Sequence, residues 1–370
     1  MNERARLLAA ICGTCLLFIA VQLGSLTLIE PFTAADMQAV EDPQDPTYSL
    51  FYVGAILVMT AFMLAAFKYN LQWIIRALII GVSVMLAWFV FAELFPPLVI
   101  VDGIGLFPLV AALAVGVGLL VYPEWYVIDV AGVVMGAGAA GLFGISFGLL
   151  PAIVLLVVLA VYDAISVYRT GHMLDLAEGV MDLRIPVLLV IPTSLSYSFL
   201  ETPPMPDSSE PSEPDSSEPP EQEPSESSKQ EPSEPTAPDS SEPAEPENET
   251  GATVDDESLG EDGELPAAEH PEGVRDALFI GLGDAVIPTI LVASAATFID
   301  EGMLEVPLIT LNVPALGAIM GTLVGLLVLL YMVLQGRAHA GLPLLNTGAI
   351  GGYLIGALWA GVPLLTALGL

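Results

Sequence analysis

Two carboxylates, Asp163 and Asp284, stand inside long apolar runs of the sequence. A carboxylate in a lipid-embedded helix costs about 2.5–3.5 kcal/mol on insertion scales, so one that is kept there points to function. Two carboxylates sharing a site cannot both ionise comfortably; one keeps a proton and the pair titrates as a unit. The ionised member then draws a proton from water while the protonated member donates to a carbonyl under attack, the division of labour of aspartyl acid–base hydrolysis. Such a site needs no metal and no cofactor. His172, His270 and His339 are scattered in or near loops, without ligand spacing. The remaining candidate acids are weaker. Glu93, Asp102 and Glu124 fall at the ends of apolar runs, where water is expected, and Asp129, about one turn inside its run, is read as structural and facing the interface.

The elements that must position this pair are membrane helices. The chain is 54% hydrophobic with a mean hydropathy of +0.72, above the ~45–50% apolar of soluble domains. A hydrocarbon core of about 30 Å takes roughly 20 apolar residues to cross. Nine such spans are expected, at 7–29, 50–67, 72–94, 98–121, 126–147, 151–168, 277–298, 312–334 and 343–366, with Pro151 separating the fifth from the sixth. With nine spans and a cytoplasmic amino terminus, all 9 Lys and Arg residues lie on the cytoplasmic side, in agreement with the positive-inside rule. The expected fold is therefore an all-α membrane protein of nine transmembrane helices, its carboxyl terminus outside. Asp163 precedes Arg169 by six residues, roughly 9 Å of helix, and Asp284 lies roughly 10–13 Å into its span from the same side. Spans six and seven run antiparallel, so both carboxylates fall at one membrane level.

The formal charge of −34 is mostly local, because more than half of the 43 acidic residues lie between Glu201 and Glu272, opposed only by Lys229. This Ser/Glu/Pro tract, 201–273, buries too little to offset chain entropy and reads as a disordered acidic loop between helices six and seven. It divides the chain into an amino-terminal part, 1–200, and a carboxy-terminal part, 274–370. The acidity excludes nucleic-acid binding, which needs basic surface. Cys12 and Cys15 lie at helical spacing in the first span and read as small packing residues. The first apolar run, Leu7–Ile29, exceeds a signal-peptide core and is expected to be a retained helix. Before the tract, Ile185–Leu200 is apolar but short, and fits a re-entrant segment, a surface element or a strand. Its Val187–Ile191 offers a strand edge to an extended peptide.

The local sequences sharpen the site. Tyr162-Asp163 ends one apolar run, Gly281-Leu282-Gly283-Asp284 opens another, and Gly341-Leu342-Pro343-Leu344-Leu345 follows Arg337 at the start of the last span. In order and topology these motifs resemble the presenilin and signal-peptide-peptidase family, intramembrane aspartyl proteases of the Gly-x-Gly-Asp type. Gly171-His172-Met173-Leu174 and Ile185–Tyr197 are more similar to presenilin, and the whole resembles a prokaryotic presenilin homologue. A literal Pro-Ala-Leu at Pro314-Ala315-Leu316 opens the eighth span and not the ninth, so the Pro-x-Leu role is carried to Pro343, Leu344 and Leu345, with leucine where the family has alanine.

The resemblance implies catalysis by Asp163 and Asp284. It implies that Tyr162, Gly281, Leu282, Gly283, Pro343, Leu344 and Leu345 shape the site and engage substrate. It also implies single-span membrane proteins or signal peptides as substrates, with the lipid bilayer as the partner common to all of them. The membrane is the cell membrane if the source is prokaryotic, an endomembrane otherwise; assembly as a homo-oligomer and the need for accessory subunits stay open. Three readings compete. A proton- or ion-coupled transporter or channel would use the aspartates as a relay, but no internal repeat supports it. A prepilin-peptidase-like enzyme shares Gly-x-Gly-Asp without the other two motifs. For a membrane scaffold, two level-matched buried acids have no purpose.

Overall fold

The structure is a computed structural model and describes residues 3–69, 71–95, 99–101, 104–167, 188–192, 277–335 and 340–370. These belong to one compact unit made of Met1–Met205 and Val274–Leu370; Pro206–Gly273 forms a second unit that lies outside the described residues. The acidic tract, Gly171–Leu174 and the basic residues Arg169, Arg184, Lys229, Arg275 and Arg337 also lie outside them.

Long apolar runs become helices, which satisfy their own backbone hydrogen bonds as lipid requires. In chain order these are α1 (Glu3–Ala34), α2 (Thr47–Lys68), α3 (Gln72–Leu94), α4 (Leu106–Val121), α5 (Trp125–Ser146), α6 (Leu149–Ile165), α7 (Leu282–Phe298), α8 (Val313–Leu334), α9 (Gly341–Trp359) and the short α10 (Leu364–Ala367). Among the described residues, six helices are long and apolar enough to cross a membrane: α1, α2, α3, α5, α8 and α9. The shorter α4, α6 and α7 are apolar helices of 16, 17 and 17 residues. Three two-stranded antiparallel ribbons accompany them: β1 (Ile100–Val101) with β2 (Ile104–Gly105), β3 (Leu188–Pro192) with β4 (Ala277–Gly281), and β5 (Met303–Leu304) with β6 (Leu311–Asn312).

Several spans differ from the expected ones. The fourth begins at Leu106, because the residues before it fold back as β1–β2. The break between the fifth and sixth falls at Phe147–Gly148 and not at Pro151, which sits in the first turn of α6, where a missing N–H is harmless. The seventh opens with five residues of strand, so α7 starts at Leu282 and Asp284 lies in its first turn. The ninth stops at Trp359, where Gly361 takes a left-handed conformation (φ 84°) and Pro363 follows, before α10. An apolar run of four to eight residues has no periodicity that separates a buried strand from a buried helix turn.

The interior centres on α5, which packs against α1, α7 and β3. Small residues make this possible: Gly136 of α5 meets Val21 of α1 and Leu282 and Val286 of α7, and Gly144 meets Ala293. The antiparallel pair α8–α9 is closer still. A Cβ added to Gly317, Gly321 or Gly325 would run into the backbone carbonyls of Gly352, Gly348 and Leu344 respectively. Asn312 joins α7 to α8, its Nδ2 donating to the Ala295 and Ile299 carbonyls and its Oδ1 accepting from Ala315 N–H as the α8 cap.

Candidate active site

Asp163 occupies the last turn of α6 and is 3% exposed. Its Oδ2 accepts the N–H of Leu342 at 3.1 Å. That N–H is available because Leu342 lies in the first turn of α9, whose amides have no partner within the helix. Asp284 lies in the first turn of α7 and is partly buried. Two glycines flank its carboxylate: a Cβ at Gly281 would lie 3.4 Å, and one at Gly341 3.3 Å, from Asp284 Oδ2. Consecutive residues of one strand of chain, Gly341 and Leu342, therefore touch the two carboxylates. The helices that carry them, α6 and α7, pack against each other.

The other residues singled out by sequence fall around this point unequally. Tyr162 is half-buried beside Asp163, and Leu282 is buried between α5 and α7. Gly283 is exposed, with a single neighbour, Ile287, near its missing side chain. Pro343 and Leu344 are half-buried in the first turns of α9, while Leu345 is fully buried. Pro314, Ala315 and Leu316 open α8, about 20 Å of helix from Leu329, whose side chain packs on Gly341. The structure thus brings Gly341 and Leu342 to the carboxylates and sets the literal Pro-Ala-Leu at the far end of α8.

Several features escaped the sequence reading. Pro288 lies one helical turn after Asp284 and has no N–H to return to the Asp284 carbonyl, which leaves the first turn of α7 less tied than an ordinary one. Asn346, 1% exposed, donates from Nδ2 to the Leu156 carbonyl at 2.9 Å and fastens α9 to α6 just beyond the site. Asp129, expected at the interface, is 6% exposed and accepts the N–H of Val190 at 2.8 Å. Glu124, expected in water, is buried as the cap residue of α5. Cys12 is exposed on α1 while Cys15 is partly packed, so only the second fits the expected packing role. The sequence offered Val187–Ile191 as an edge for a peptide. Val187 lies outside the described residues; Leu188–Ile191 is paired with the chain's own β4 on one side, and its Val190 N–H is taken by Asp129 on the other. Among the described residues no group of three or more His, Cys, Asp or Glu gathers in a way that could hold a metal ion.

A helical membrane protein that brings two carboxylates, from the ends of two packed helices, to consecutive residues of a third has the architecture of an aspartyl hydrolase working within the bilayer. The comparisons place it more closely. The family model described as signal-peptide peptidase, presenilin aspartyl protease matches residues 15–214 and 246–362, most of the chain. A solved presenilin family intramembrane aspartate protease in a C222 crystal form is 29% identical, with a TM-score of 0.56, over 94% of this chain and 99% of that one. A structure of a presenilin family intramembrane aspartate protease in a P2 form is 30% identical, with a TM-score of 0.54, over 94% and 97%. No curated protein matches the chain. The chain belongs to the signal-peptide-peptidase and presenilin aspartyl protease family. It is a multi-pass integral membrane protein and an intramembrane aspartic endopeptidase; the transporter reading is not favoured.

Proposed function

We propose that Asp163 and Asp284 are the catalytic pair of this protease and that they hydrolyse peptide bonds within the transmembrane segments of single-span proteins or signal peptides. The observation that carries the assignment is the Gly341–Leu342 segment, which reaches the Asp163 carboxylate through a backbone N–H and lies against the Asp284 carboxylate through a glycine. A backbone donor fixes the orientation of one acid, and the glycine leaves room beside the other for water or for the carbonyl under attack. One carboxyl group keeps its proton and polarises the scissile carbonyl; the carboxylate removes a proton from the attacking water. The scissile bond must leave its helix first, because helical hydrogen bonds shield it and bare backbone groups are costly in lipid.

Gly281, Leu282 and Gly283, with Tyr162, Pro343, Leu344 and Leu345, shape the site and engage substrate. Nine spans with a cytoplasmic amino terminus and an external carboxyl terminus account for the distribution of basic residues. In that arrangement the tract at 201–273 is a solvated cytoplasmic linker between the parts at 1–200 and 274–370, in the cell membrane of a prokaryotic source. The test is to incubate the purified chain with a single-span transmembrane peptide, with and without a transition-state analogue of aspartyl proteases. Cleavage abolished by the analogue is the expected result; cleavage indifferent to it would remove the pair from the mechanism.

A further inference from the structure

Asp129 lies outside the catalytic pair but is connected to it through a strand. Its carboxylate, buried in α5, accepts the N–H of Val190 from β3 at 2.8 Å. β3 pairs antiparallel with β4 in a single register, Leu188 opposite Gly281 and Val190 opposite Phe279. Gly281 is the last residue of β4 and the cap residue of α7, with Asp284 three positions on. The same helix α5 also touches the start of α7, where Gly136 meets Leu282 and Val286. The joint between β4 and α7 is thereby held from one helix at two places: through the ribbon by a buried hydrogen bond, and directly by glycine packing.

A two-stranded ribbon is marginal on its own, and a strand slips easily where nothing fixes its position. Leu189, Ile191 and Ile280 give this ribbon an apolar side packed in one core cluster with Leu282 of α7, and Val190 packs with Ile128 and Ala131 of α5 in another. Apolar packing fixes which face is in but is tolerant of small shifts along the strand; a hydrogen bond from one amide to one carboxylate is not. We infer that Asp129 is a positioning residue of the protease, which sets the height of the β3–β4 ribbon and through it the place of Asp284 relative to Asp163. The inference rests on the catalytic assignment of Asp163 and Asp284.

The test compares the wild type with Asp129→Leu, Asp129→Asn and Val190→Pro, each reconstituted with a single-span transmembrane peptide. Proline at 190 deletes the donor and spares the β3–β4 ladder, since this N–H points away from β4, but it also replaces a side chain packed on α5. Val190→Ala, which keeps the N–H, is the packing control and is expected within about threefold of wild type. Rates are taken per active site titrated with the transition-state analogue, and products are mapped by mass spectrometry. Asp129→Leu and Val190→Pro are expected to lose about 10- to 100-fold in kcat, to spread the cleavage positions, and to be no worse in combination than singly. Asp129→Asn, which keeps an acceptor oxygen, is expected within about threefold of wild type. Wild-type kcat and cleavage positions per titrated site in either donor or acceptor deletion would overturn the inference, as would an Asp129→Asn variant as impaired as Asp129→Leu. Should Asp129→Leu fail to fold, Val190→Pro decides alone. A wild type that does not cleave, or an Asp163→Asn variant that does, strikes the catalytic assignment and not Asp129.

Discussion

Helices α2 and α5 have the same length, 22 residues each, and both are apolar enough to span a membrane, yet their surroundings are opposite. In the most apolar window of α2 11% of residues are buried, against 61% in α5. The difference lies in side-chain size. α2 carries Leu50, Phe51, Leu57, Val58, Met59 and Phe62 outward, whereas α5 is built on Gly132, Gly136, Gly138, Gly141 and Gly144 with interleaved alanines. Lipid tails are as apolar as leucine, so nothing drives a large side chain out of them; small residues let backbones close on one another. Hydropathy therefore locates the membrane, and residue size locates the interior of the helix bundle.

The same substitution placed on the two sides of this divide gives opposite results. Gly321→Leu on α8 must push its side chain through the Gly348 carbonyl of α9, and is expected to cost ~3 kcal/mol or more, read as a large fall in thermal stability in detergent. Leu342→Pro comes next. It lies in the first turn of α9, where proline is tolerated, and removes the N–H held by Asp163 together with a side chain packed on the core, so Leu342→Ala, which keeps the N–H, is its control. Activity of the proline variant is expected to fall about 10- to 100-fold below that of Leu342→Ala while their melting temperatures stay close. Gly54→Leu on α2 has the smallest effect, because nothing lies within 4 Å of its missing Cβ. Its stability is expected within about 0.5 kcal/mol of wild type, and a loss comparable to that of Gly321→Leu would mean that α2 faces protein after all.

Much of the fold was legible because long apolar runs leave little choice: α3 and α8 begin and end within a residue of the expected spans. The aspartates stood out for the same reason, as charges where lipid allows few. The strands did not. Ala277–Gly281 is as apolar as the helix it precedes, and only pairing with β3 shows it to be extended. That moved Asp284 from two turns inside an expected helix to the first turn of α7, beside Gly341. Gly361 and Pro363 end α9 inside a run that is otherwise continuously apolar, which is why the expected span ran on to 366. The Asp129–Val190 bond spans 61 positions, and no local pattern announces such a partner. A lone carboxylate one turn inside a helix reads alike whether it faces water or a strand.

The central claim is that Asp163 and Asp284 act as one unit, and a double-mutant comparison tests it most directly. Asp163→Asn, Asp284→Asn and the double variant are purified, checked for equal thermal stability, and assayed on one transmembrane peptide. Groups that work as a unit are non-additive, so each single change is expected to lose about 10⁴-fold or more and the double variant no further. A single variant that still cleaves at a substantial fraction of the wild-type rate, or losses that multiply in the double variant, would contradict the account.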